Sequence, residues 1–135
     1  MAYFKVKVLA ADKPFYEGEA LSLIVPTVNG QYGILAHHSN TLGATVPGLL
    51  KITYPDNREE VLSVSSGIFK IEHNHVLVLV DSLERPEEID INRAKREADE
   101  AKEALLQKMS RQEYYSTQAK LARALNRLKI KSNYK

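Results

Sequence analysis

An α+β chain is predicted, with an N-terminal antiparallel β-sandwich followed by a C-terminal antiparallel two-helix hairpin. Three observations carry this. Up to about residue 85, apolar residues recur mostly at every second position, the period of a strand with one buried face. Beyond Pro86 the period becomes helical, with Ile91, Ala94, Ala98, Ala101 and Leu105 spaced by 3, 4, 3 and 4. The charge divides close to the same place: residues 1–90 hold seven basic and twelve acidic side chains, whereas 91–135 hold twelve basic and five acidic.

Length and composition bound what the chain can be. At 135 residues and 15.2 kDa there is room for one domain of about 80 to 90 residues and an appendage, so the sandwich is expected over 1–85 and the hairpin over 86–135. Without cysteine there is no disulfide framework, no thiolate nucleophile and no cysteine zinc site, which fits a reducing compartment. No run reaches the length of a membrane span and Met1 to Leu9 lacks the apolar core of a signal peptide, so a cytoplasmic, soluble chain is expected.

Taken in order, the strand signals begin with Phe4, Val6 and Val8 alternating with Lys5 and Lys7. Leu21 to Val25, Leu49 to Tyr54, Val61 to Val64 and Val76 to Val80 follow. Asn29-Gly30, Gly43, Pro47-Gly48, Pro55-Asp56-Asn57 and Glu72-His73-Asn74 have turn compositions and are expected as connectors. Seven or so strands without intervening helices point to a sandwich or flattened barrel rather than a parallel sheet. In the second half, the alanine seam of the first helix lets a second helix approach closely. That helix supplies Tyr114, Leu121, Leu125 and Leu128 beside Tyr115, Ala119 and Ala122. Ser110-Arg-Gln-Glu113 between them has the capping-box spacing.

Few residues in the first half suggest chemistry. His37-His38 and His73-x-His75 offer imidazole pairs but no third ligand nearby, so no metal site is expected. Ser39, His38 and Asp81 have no Gly-x-Ser-x-Gly elbow, and no catalytic residue is assigned. Gly30 and Gly33 lack the lysine and hydroxyl residue of a phosphate loop and are read as shaping a turn.

The junction from Glu84 to Ala94 is richer. Pro86, Glu87 and Glu88, with Asp90 as N-cap, suit a helix start. Arg93, with Arg123 and Arg127 one turn apart on the second helix, could form a clamp for a triphosphate, since guanidinium forks match phosphate oxygens. Asp90 could orient Arg93 or accept from an adenine amino group. Asp99 and Glu100 bring negative charge that would oppose such a ligand. From spacing alone the same residues also read as a solvated basic face.

The helical arm itself is strongly cationic. Residues 108–135 carry eight lysines and arginines against Glu113 alone, a formal +7, which implies an acidic partner. A nucleic-acid module is disfavoured because the sandwich shows neither a basic stripe nor clustered stacking aromatics.

Pro26-Thr-Val-Asn-Gly-Gln-Tyr-Gly-Ile-Leu35 with His38, Pro47-Gly48, Ser66-Gly67 and Asp81-Ser-Leu-Glu-Arg-Pro86 together resemble the epsilon subunit of the bacterial rotary ATP synthase, over essentially the whole chain. The resemblance implies a non-catalytic central-stalk subunit at the cytoplasmic face of the membrane, held there only through the complex. It implies that the sandwich, His38 included, binds the gamma subunit and the c-ring and couples ion flow to rotation. The hairpin is implied to lie folded or to extend along gamma into the alpha–beta ring, where it inhibits ATP hydrolysis. Arg111, Lys120, Arg123, Arg127 and Lys129 are then the expected contacts to an acidic segment of the beta subunits. Some members bind ATP, with or without magnesium, through Ile-Asp-x-x-Arg-Ala. Ile89-Asp90-Ile91-Asn92-Arg93-Ala94 matches it position for position. The resemblance thus implies an ATP shell of Glu84, Ile89, Asp90, Arg93, Ala94, Arg123 and Arg127. A constitutive assembly adaptor with no nucleotide site is the alternative.

Overall fold

Alternation of apolar and polar residues becomes a buried and an exposed face in the first strands of the computed structural model, which describes residues 2–11 and 13–133. The strands are β1 (Phe4–Ala10), β2 (Lys13–Ala20), β3 (Ser22–Thr27), β4 (Gly30–Leu35) and β5 (Thr41–Thr45), then β6 (Gly48–Thr53), β7 (Glu59–Val64), β8 (Gly67–Glu72), β9 (His75–Val80) and β10 (Leu83–Glu84). The helices are α1 (Ile91–Ala104) and α2 (Arg111–Asn133), preceded by a 3-10 turn over Pro86–Glu88. The chain divides into two compact units, Met1–Glu84 and Arg85–Lys135.

The first unit is two five-stranded sheets, ordered β2-β1-β9-β8-β5 and β10-β7-β6-β3-β4. Phe4, Val6 and Val8 of β1 point inward to meet Leu23, Val25, Leu50, Ile52, Leu62, Phe69 and Val78 in one core. Removing this apolar surface from water is the main stabilising term, at about 25 cal/mol per Å². The sandwich is predicted as antiparallel throughout, and one pairing departs from that: β1 runs parallel to β9, with Val6 opposite Val76 and Val8 opposite Val78. Because β1 and β9 lie some seventy residues apart in the chain, no hairpin constrains their direction, and both bury the same alternate positions.

Ten strands are present among the described residues where about seven are expected. Gly33 and Gly43 sit inside strands β4 and β5, not in turns. Gly43 lies against the Phe69 ring, which would collide with any Cβ placed there. Gly30 opens β4 directly after the Val28-Asn29 turn, opposite Thr27, and has a positive φ of 106° that glycine adopts readily.

In the second unit the junction holds two starts, where one helix start is expected. Glu88 Oε1 accepts from the Arg85 N–H at 2.7 Å and closes the 3-10 turn, and the chain then re-extends through Ile89 before α1. Asp90 caps α1, its Oδ1 accepting from the Arg93 N–H at 3.1 Å. Ser110 caps α2 by accepting from the Glu113 N–H at 3.1 Å, the serine half of the predicted box. The six-residue link leaves the helices antiparallel, so that Arg127 reaches Glu97 and Lys131 Nζ reaches the Pro86 carbonyl at 3.3 Å.

Candidate functional site: the arginine cluster of the helical unit

Small side chains let the two helices of this unit approach. Ala94, Ala98 and Ala101 of α1 and Ala124 of α2 are buried, whereas Ile91, assigned to the same seam, is 38% exposed. Ile91 is the first residue of α1. On α2 the apolar residues differ in exposure. Leu121 and Leu128 are partly covered, while Tyr114, Tyr115 and Leu125 are exposed and Ala119 and Ala122 join them. At about 100° per residue Tyr114, Leu121, Leu125 and Leu128 fall within a sector of about 60°, so the predicted stripe is one face that is only partly covered.

Arg93 and Arg127 come from different helices and meet on one carboxylate. Arg93 Nε donates to Glu97 Oε1 at 2.9 Å, and Arg127 Nη1 donates to Glu97 Oε2 at 3.2 Å. The first contact follows from helix geometry, because side chains four apart share a face. The second depends on the packing of the hairpin. Arg93 is largely in solvent, its side chain 69% exposed, while Arg127 is more covered at 25%.

The other members of the predicted shell are placed as follows. Ile89 and Ala94 are buried on either side of the Asp90 cap. The Asp90 carboxylate is engaged by the Arg93 backbone rather than its side chain, so its placement orients the start of α1. Arg123 lies one turn before Arg127 and is half-buried. Glu84 belongs to the other unit, in β10 opposite Ser63. The acid engaged by the arginines is Glu97, whereas Asp99 and Glu100 are the residues whose charge is expected to oppose a ligand there. Asp99 lies about 120° around α1 from Arg93, and Glu100 is about two turns further along.

The five basic residues assigned to an acidic partner do not share one face. At about 100° per residue, Lys120, Arg123 and Arg127 fall within a sector of about 60°, while Arg111 and Lys129 fall on the opposite side. Arg111, Lys120 and Lys129 are exposed. Two residues that sequence reasoning missed complete the cluster, Glu97 and Lys131. Glu97 carried a signal in its i,i+4 relation to Arg93, but the reach of Lys131 to Pro86 depends on the hairpin register.

In the sandwich, His38 Nδ1 lies 2.8 Å from the Ser39 carbonyl and Nε2 lies 3.0 Å from the Tyr32 hydroxyl. A carbonyl only accepts, so Nδ1 carries the proton, and in the neutral ring Nε2 accepts from Tyr32. His37 and His73 occupy left-handed turn positions, with φ of 63° and 50°. Among the described residues no group of three histidines or carboxylates is arranged to hold a metal ion. No helix among them is long and apolar enough to cross a membrane.

Comparison with known proteins gives a consistent result for both units. Residues 3–86 match the family model described as ATP synthase, Delta/Epsilon chain, beta-sandwich domain, and residues 87–132 match the long alpha-helix domain of the same chain. The ATP synthase epsilon chain of Ruminiclostridium cellulolyticum is 41% identical over 128 residues, covering 95% of each chain. That of Caldanaerobacter subterraneus is 41% identical over 135 residues, covering 97% of this chain and 95% of the relative. Among solved structures, a chain of the Euglena gracilis mitochondrial ATP synthase superposes with a TM-score of 0.77 at 20% identity, over 93% of this chain and 79% of that one. A chain of the Tetrahymena thermophila mitochondrial ATP synthase central stalk and c-ring gives 0.69 at 16% identity, over 94% and 95%.

Proposed function

The chain belongs to the ATP synthase delta/epsilon family, and from that premise we propose that it is a non-catalytic central-stalk subunit whose helical unit restrains ATP hydrolysis and is held folded by ATP. The sandwich docks on the gamma subunit and the c-ring, so that ion flow through the ring is coupled to rotation of the stalk. Peripheral attachment to the membrane follows from the complex alone. In its extended state the cationic α2 meets acidic surface on the beta and alpha subunits.

One observation carries the nucleotide part of this reading: arginines from both helices reach the same anionic group. An anion held by Arg93 and Arg127 together favours the folded hairpin over any arrangement that separates them. ATP would shift the balance by its differential affinity for the two states, about 1.4 kcal/mol for each tenfold difference. Arg123 and Arg127 would serve the acidic partner when the hairpin extends, so the two uses exclude each other. Long-range attraction is screened beyond about 8 to 10 Å at physiological salt, so charge steers the arm and packing retains it.

The engagement of both arginines by Glu97 favours a second reading, an adaptor whose hairpin stays folded with its charges already met. Calorimetric titration of ATP into the whole chain separates the two, with magnesium present and absent. Saturable one-to-one binding that is lost in the double variant Asp90→Ala, Arg93→Ala is expected. No heat up to millimolar ATP would leave the adaptor.

A further inference from the structure

Glu97 presents each carboxylate oxygen to a different helix, Oε1 to Arg93 Nε at 2.9 Å and Oε2 to Arg127 Nη1 at 3.2 Å. We propose that Glu97 is an internal counter-anion occupying the position between Arg93 and Arg127 that a nucleotide phosphate takes, so that phosphate binds by displacing it. The proposal rests on the nucleotide reading above and names the residue that sets the affinity of that site.

Carboxylate and phosphate oxygens compete for the same guanidinium donors, because the planar fork suits both. Glu97 has a built-in advantage, being tethered one turn from Arg93 on a helix that already holds the two side chains together. The tether is not prohibitive. The side chains of Glu97, Arg93 and Arg127 are 34%, 69% and 25% exposed, so water screens the contacts and the carboxylate has a route to solvent. A displaced Glu97 still lies beside the polyphosphate and repels it. The result is a site whose arginines are preorganised and whose threshold for nucleotide is raised by its own anion.

The ligand series distinguishes displacement from a merely structural effect. ATP, ADP, AMP and adenosine are titrated calorimetrically into the whole chain, its Glu97→Gln variant and its Glu97→Asp variant at one salt concentration. Removing one like charge beside a polyanion is expected to tighten ATP binding by at least about tenfold in Glu97→Gln. The gain should shrink through ADP and AMP and vanish for adenosine, and Glu97→Asp should stay near the parent. Glu97→Ala, which favours helix, replaces Glu97→Gln with the same expectation should that variant lose helical ellipticity. A parent that binds ATP alongside a Glu97→Gln variant that binds no tighter would overturn the displacement and leave the nucleotide site standing. An equal gain for adenosine would overturn it as well. Absence of ATP binding in parent and variants together would remove the site itself, and the displacement with it.

Discussion

A guanidinium keeps its proton at every accessible pH, so its charge has to be met by an anion or by water. That constraint explains the placement of Glu97 between Arg93 and Arg127, and it explains why only half of the cluster was legible in the sequence. Arg93 could be found from its motif, and its partner from helical spacing. Which acid joined the second helix depended on the hairpin register, which no spacing within one helix specifies.

The same scale governs Tyr54 in the sandwich. Burial pushes its hydroxyl well above the ordinary tyrosine range, and the hydrogen bond it donates to Glu60 at 2.7 Å pushes it further. A group whose folded pKa is raised contributes stability that is intact below its unfolded value of about 10 and falls as pH rises above it. Chemical denaturation of the parent and Tyr54→Phe at pH 8, 9.5 and 11 is expected to show a shallower alkaline loss in the variant. Identical slopes would mean that Tyr54 releases its proton as readily in the folded chain as in the unfolded one.

Elements were legible where one physical pattern acted alone. Strict alternation in β1 and the apolar run of β9 gave their strands, and the alanine seam gave α1. β4 and β5 were obscured because Gly33 and Gly43 look like turn residues, whereas Gly43 is small because the Phe69 ring lies against it. On α2 the apolar stripe is covered only in part: Ala124 and Ile130 are buried and Leu121 and Leu128 half-buried, while Tyr114 and Leu125 are exposed, a division that spacing does not show. The seam itself makes a prediction. Ala98 is buried, and a leucine there leaves no room for the facing helix, which costs about 1 to 3 kcal/mol by overpacking. Ala98→Leu should lower the helical content and melting midpoint of the whole chain measured by circular dichroism. A midpoint equal to the parent's would place the helices further apart than described.

At the scale of the molecule, the division of charge near residue 90 was the most informative property of the sequence, since the two compact units divide close by, between Glu84 and Arg85. The sandwich class was legible for the same reason, because alternation persisted for some eighty residues without a helical interruption. The parallel β1–β9 pairing was not, because direction between distant strands leaves no trace in local pattern. The first unit has its own two sheets and its own core, so a chain ending at Pro86 is expected to retain the sandwich.

That truncation bears most directly on the proposed restraint of hydrolysis by the helical unit. ATP hydrolysis would be measured in the catalytic complex reassembled with gamma and either the whole chain or the chain lacking residues 87–135, at low and high ATP. Faster hydrolysis with the truncated chain, most pronounced at low ATP, is the predicted result. Equal rates at both concentrations, with both chains incorporated, would contradict it and leave an adaptor that couples without restraining.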